Sequence, residues 1–258
     1  MPLLDIRAVS KCFGGLVALH DVQCSIEAGQ ITGLIGPNGA GKTTLFNLIA
    51  GECSPDRGEI VFRGEPIHHL PSNAICKRGI ARTFQMVRPF LRMTTLRNVV
   101  MAASFGRASS PSRRQAEAIA WHCLEFIGLT DKAQLPAASL PLGDRKRLEI
   151  ARALATQPDL LLLDEAIAGL NPTEVAQLMT LIREVQRTGV TVFLIEHVMK
   201  AVLGLSDKVI VLNYGEKIAE GPPQEVASDP QVVEAYLGQR RSASPGHMPM
   251  DQKAGEAC

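Results

Sequence analysis

Residues Gly36 to Thr44 read GPNGAGKTT. The apolar run Ile31 to Ile35 precedes them and the helical pattern LFNLIAG follows. A strand that turns through glycines straight into a helix is a strongly constrained object. Glycines let successive backbone N–H groups curl toward one point, and the helix start adds the positive end of its dipole there. The spacing G-x-x-x-x-G-K-[ST], in this strand–turn–helix context, is that of a phosphate-binding P-loop. Gly36, Pro37, Asn38, Gly39, Ala40 and Gly41 are expected to wrap phosphates, with Thr44 at the helix start. Lys42 would reach the β- and γ-phosphates of a nucleotide, and the Thr43 hydroxyl would ligate Mg²⁺. The rival, a glycine-rich turn with an incidental lysine, does not account for both flanks.

A P-loop needs a sheet to stand on. LLDIRAVSKCF, LHDVQCSIEAGQITGLIG and GEIVFRGEPI read as strands. From about Thr95 to Gly128 the chain turns Ala- and Arg-rich with helical spacing, broken by the polar loop GRASSPSRR, which suggests a helical insert. A helix from Leu148, the apolar strand PDLLLLDEA, a helix over 174–187, the strand VTVFLIEH, a helix over 198–205 and the strand KVIVLN follow. Strands alternating with helices predict an α/β fold with a largely parallel, doubly wound sheet. Residues 239–258, rich in Ser, Pro, Gly and charge without an apolar period, are expected to be a disordered tail.

Bulk properties narrow the function. A net charge of +1 over 258 residues gives no electrostatic case for binding nucleic acid. The six cysteines contain no C-x-x-C pair, so neither a zinc site nor a disulfide scaffold is expected, and reduced cytosolic thiols are. The N-terminus lacks the basic and apolar regions of a signal peptide, and no apolar run approaches the roughly 20 residues of a membrane-spanning helix. Action at a membrane would therefore go through a partner.

LLLLDEA places Asp164 at the end of an apolar strand, where it would hold Mg²⁺, and Glu165 one residue on, where it would polarise an attacking water as general base. Taken alone, the same acids fit a helix cap after a core strand. His197 ends the strand TVFLIEH and would contact the γ-phosphate; alone, it fits a structural histidine. Gln85, in RTFQ between core and helical insert, would ligate Mg²⁺ or the water.

The ordered set GPNGAGKTT, Gln85, LPLGD, LLLLDE, AGLNP and LIEH resembles the nucleotide-binding subunit of ABC transporters, over nearly the whole chain to about Gly238. FGGLVAL, GIARTFQ, AGLNPTE, LIEHVMK and DPQVVEAYLG resemble the ATPase subunit of branched-chain amino acid-type importers. The resemblance implies a P-loop NTPase core (residues 1–86 and 156–238), mostly a parallel sheet with an N-terminal antiparallel β part, plus a helical subdomain at about 87–155. It implies ATP and Mg²⁺ as cofactors and two cassettes sandwiching two nucleotides head to tail. The second ATPase subunit is expected to be a different chain, with a homodimer as the other arrangement. Integral-membrane permease subunits at the cytoplasmic face of the inner membrane, and indirectly a solute-binding protein, complete the expected partners. Phe13 would stack on adenine, its rival being a core phenylalanine before a Gly-Gly turn. Asn171 would lie at the dimer seam.

One stretch departs from that family. Where its pattern reads Leu-Ser-Gly-Gly-Gln, this chain has Leu140-Pro141-Leu142-Gly143-Asp144. Pro141 removes a hydroxyl and an N–H, and Asp144 sets a carboxylate near the partner's triphosphate. The following helix start still offers the Gly143 N–H in trans, and Arg145, Lys146 and Arg147 are expected to offset the acid. A non-hydrolysing regulatory cassette is the alternative this loop raises. A ribosome- or DNA-directed ABC ATPase lacks support, since no tandem cassette or coiled-coil insertion is visible. A GTPase lacks its N-K-x-D motif.

Overall fold

The computed structural model describes residues 1–83, 89–107 and 111–242, and the side chains of all these except 237–242. The chain runs β1 (Leu4–Phe13), β2 (Leu16–Ile26), β3 (Ile31–Ile35), α1 (Lys42–Ile49), β4 (Arg57–Phe62) and β5 (Glu65–Pro66). Next come α2 (Ser72–Arg78), β6 (Ile80–Arg82), α3 (Thr95–Phe105), α4 (Arg113–Phe126) and α5 (Leu142–Leu154). The second half contains β7 (Leu160–Asp164), α6 (Pro172–Arg187), β8 (Thr191–Ile195) and α7 (Met199–Leu205). It closes with β9 (Lys208–Asn213), β10 (Glu216–Gly221), α8 (Pro223–Ser228) and α9 (Pro230–Ser242).

The strands form two sheets. A four-stranded antiparallel sheet has the order β2-β1-β4-β5, with Leu4 opposite Ile26 on one side and Phe62 on the other. A six-stranded sheet has the order β10-β9-β3-β8-β7-β6. It is parallel throughout except for β10, which returns antiparallel along β9. The expected mostly parallel sheet with an antiparallel N-terminal part is what the chain forms.

Both faces of the parallel sheet are covered, so its central strands β3, β7 and β8 are buried along their whole length rather than alternating. Successive side chains still point to opposite faces. Leu161 and Leu163 join one core with the helices α3 to α7, while Leu160 and Leu162 join a second core with α1 and the antiparallel sheet. Phe46 of α1 meets Phe193 of β8 in that second core, ring centroids 5.0 Å apart. Each such fully buried side chain contributes about 1.5–3 kcal/mol.

Three boundaries differ from expectation, and a side-chain cap accounts for one of them. The helix expected from Leu148 starts at Leu142, with Pro141 as N-cap; the proline lacks only an N–H that a helix start leaves unbonded. The helix expected from Glu174 starts at Pro172, because Asn171 caps it and Glu174 closes a capping box. The helix expected from Val198 starts at Met199, with Val198 itself at the cap position.

Candidate active site

The parallel order brings the carboxyl ends of β3, β8 and β7 side by side. Ile195 lies in register with both Leu34 and Asp164. The P-loop, the Asp164-Glu165 pair and His197 therefore leave the sheet at one edge, the place where open α/β sheets bind ligands.

Within the loop, Gly36, Gly39 and Gly41 all have positive φ. A Cβ at Gly36 would stand 2.1 Å from the Leu212 carbonyl oxygen, and one at Gly41 2.5 Å from that of Ala18, so neither position accepts a side chain. Helix α1 opens at Gly41 with no side-chain cap and no acid in its first turn. Its first N–H groups are thus left to an external anion. The Lys42 ammonium is buried and donates to the carbonyls of Gly36 and Pro37, 2.8 Å each, which holds it at the loop. Burial draws its pKa below the ordinary lysine value. Pro37 and Ala40 are buried, Asn38 and Thr43 exposed, and Thr44 partly exposed.

Asp164 is buried, and its Oδ2 accepts from Arg82 Nη2 at 2.9 Å. Arg82 also donates to Asn47 (2.7 Å) and Glu52 (3.0 Å), and Thr83 Oγ1 accepts from the Asp164 N–H at 3.4 Å. Sequence reasoning missed Arg82 and Thr83. Arginine before threonine carries no signal of an acid 82 residues on.

Glu165 has φ +49°, unusual for a residue with a side chain. Its N–H donates to Ile195 (2.9 Å), its carbonyl accepts from Lys146 Nζ (3.0 Å), and its carboxylate meets His197 Nε2. Acid and imidazole are thus brought together at the exposed end of β8, an arrangement suited to moving a proton from water. Glu196, also missed, is buried; its Oε1 accepts from the Ile167 N–H at 3.0 Å, and burial pushes its carboxyl up to about 7.

Phe13 is 49% exposed, with Lys11 Nζ 5.4 Å from its ring centroid, so it is no core phenylalanine. Asn171 caps α6, its Oδ1 accepting from Thr173 and Glu174 N–H groups at 3.0 Å. Gly143 packs against Glu174: a Cβ there would meet Oε1 at 2.7 Å. Asp144 is neutralised, but by Lys132 (2.6 Å) rather than by the basic residues after it. Arg145 turns back to the Ala138 carbonyl, Lys146 to Glu165 and Arg147 to Gln177. Gln85 lies outside the described residues.

The donor set fits a magnesium nucleotide. Uncapped N–H groups and a fixed ammonium suit phosphates, and a threonine hydroxyl with a carboxylate suits a hard cation. Among the described residues no cluster of three or more His, Cys, Asp or Glu could hold a metal alone.

A family model described as "ABC transporter" matches residues 19–168, and one described as "Branched-chain amino acid ATP-binding cassette transporter" matches residues 216–241. The chain is 42% identical to the high-affinity branched-chain amino acid transport ATP-binding protein LivG of Escherichia coli strain K12, covering 92% of this chain and 98% of that one. It superposes on the ADP conformation of MJ1267, an ATP-binding cassette of an ABC transporter, with TM-score 0.86 and 34% identity over 92% of this chain and 99% of the other. A dimeric post-hydrolysis state of the cassette MJ0796, bound to ADP and Pi, matches with TM-score 0.76 and 26% identity over 85% and 98%. With its P-loop, its paired acids and the histidine at one sheet edge, the chain belongs to the ABC transporter family of ATP-binding cassettes, a family of P-loop ATPases.

Proposed function

We propose that this chain is the ATP-hydrolysing, energy-coupling subunit of an ABC importer for branched-chain amino acids or related small organic solutes. The observation that carries this function is the contact of Glu165 with His197, at the sheet edge that also holds Lys42. A base paired with an imidazole beside a phosphate loop suits hydrolysis better than mere nucleotide storage.

In this mechanism the P-loop N–H groups and Lys42 hold the β- and γ-phosphates, and Phe13 stacks on adenine. Thr43, Asp164 and Gln85 would hold Mg²⁺, which when bound would neutralise charge on the phosphate oxygens. Glu165 accepts the proton of the attacking water and His197 contacts the γ-phosphate. The core spans residues 1–86 and 156–238, and the helical subdomain about 87–155 receives the permease.

Two cassettes share two composite sites, with Gly143 serving the partner's nucleotide and Asn171 at the seam. The dimeric MJ0796 relative supports pairing as such. No helix among the described residues is long and apolar enough to cross a membrane. In this reading the chain attaches to the cytoplasmic face through permease subunits. The altered Leu140–Asp144 loop makes a heterodimer with unequal sites the favoured assembly.

The complex of this chain, its partner cassette and permease in proteoliposomes should take up branched-chain amino acids only with ATP. Uptake independent of ATP contradicts the function. A Glu165→Gln change in this chain and the matching change in the partner should slow turnover unequally; equal turnover contradicts the asymmetry.

A further inference from the structure

The left-handed backbone of Glu165 is the strained point of the site. A non-glycine residue at φ +49° is strained and stays there only when its surroundings fix it. On the N–H side, Glu165 is tied to the Ile195 carbonyl of β8. On the carbonyl side it is tied to the Nζ of Lys146, 3.0 Å away.

Lys146 is an unusual residue for its place. It is only 5% exposed, on the first turns of α5; burial draws its pKa below the ordinary lysine value, and the charges of Glu149, Glu196, Glu165 and Asp164 pull the other way. A buried ammonium needs such company, because burial away from water disfavours an uncompensated charge. Glu196 in turn accepts from the Ile167 N–H. The segment from Glu165 to Ile167 is thus held from two sides, by Lys146 at one end and Glu196 at the other.

The same helix carries the altered loop. Lys146 follows Gly143 at i+3, which puts them on one helical face. Gly143 packs on Glu174, and Leu142 approaches Gly169, where an added Cβ would stand 3.2 Å from the leucine Cδ2. The start of α5 is therefore fastened to the segment after Glu165 at several points.

We propose that Lys146 is a positioning residue for hydrolysis: by bonding the Glu165 carbonyl it holds the general base in the conformation that meets His197, and it links that base to the loop facing the partner. This rests on Glu165 being the base. In this role Lys146 acts through the Glu165 carbonyl, not on the reacting atoms themselves.

The test uses the full chain assembled with its partner cassette and permease. Lys146→Met should lower kcat for ATP hydrolysis about 10²-fold, the scale of a misplaced catalytic group. The KM for ATP should stay within about twofold, because ground-state binding is untouched. Lys146→Arg, which keeps a charged donor, should restore most of the rate. On a Glu165→Gln background, Lys146→Met should cost nothing further, since the two act as a unit. An unchanged kcat, a rise in KM alone, or a further full loss in the double variant overturns the proposal. Should Lys146→Met fail to fold by circular dichroism, Lys146→Gln, a shorter neutral donor, should fall between Met and Arg in its effect, and wild-type turnover there overturns it. Wild-type turnover in Glu165→Gln alone would instead overturn the base assignment, a distinct result.

Discussion

Nζ of Lys132 lies 2.6 Å from Oδ2 of Asp144, so the acid closing the Leu140–Asp144 loop is neutralised by its own chain. Both groups sit beside the N-terminus of α5, where an unpaired carboxylate would repel a triphosphate. Lys132→Ala should therefore raise the KM for ATP at the site this loop completes, most at low ionic strength, because the lysine is partly exposed and screened. Asp144→Asn on that background should restore it. A KM unaffected by Lys132→Ala, measured with the other site inactivated, contradicts this.

Arg82 and Asp164 form a buried pair, their side chains 7% and 4% exposed. Removing Arg82 leaves the buried Asp164 carboxylate without its direct ion pair. Arg82→Ala should lose about 3–5 kcal/mol in urea unfolding. Magnesium and nucleotide should return part of that loss, since ligands of the native state stabilise by mass action. A change below about 1 kcal/mol contradicts the pairing.

Glu196 gives a pH signature. Burial raises its carboxyl from 4.5 to about 7, against the pull of nearby Lys146. Between those values the native state keeps a proton that the unfolded chain has released, so stability falls as pH rises through the window. Glu196→Gln keeps the acceptor for Ile167 without the charge. It should remove this slope and gain at most about 3 kcal/mol over wild type near pH 8, with little difference near pH 4. Equal pH slopes in urea unfolding of both proteins contradict it.

The core was legible because its physics is local. Apolar strands, a Gly-rich turn and a helix period survive in sequence order, so β3, β7, β8 and the P-loop could be read directly. Short or edge elements could not: β6 spans Ile80–Arg82, too few residues for a period, and β10 is mostly polar. Nor could the fixtures of the site. Arg82, Lys146 and Glu196 are ordinary charged residues until the fold buries them around Asp164 and Glu165. The supposed neutralisers Arg145, Lys146 and Arg147 face elsewhere because helix α5 starts at Leu142 and rotates them away from Asp144, leaving the distant Lys132 to do it.

The most direct test of hydrolysis at this chain's own site is steady-state ATP turnover of the assembled complex with Glu165→Gln, alongside nucleotide binding. Turnover at that site should fall by about 10²–10⁴-fold, the usual worth of a positioned base, while ATP binding is retained. Turnover equal to wild type, with the partner's site silenced, would contradict the account.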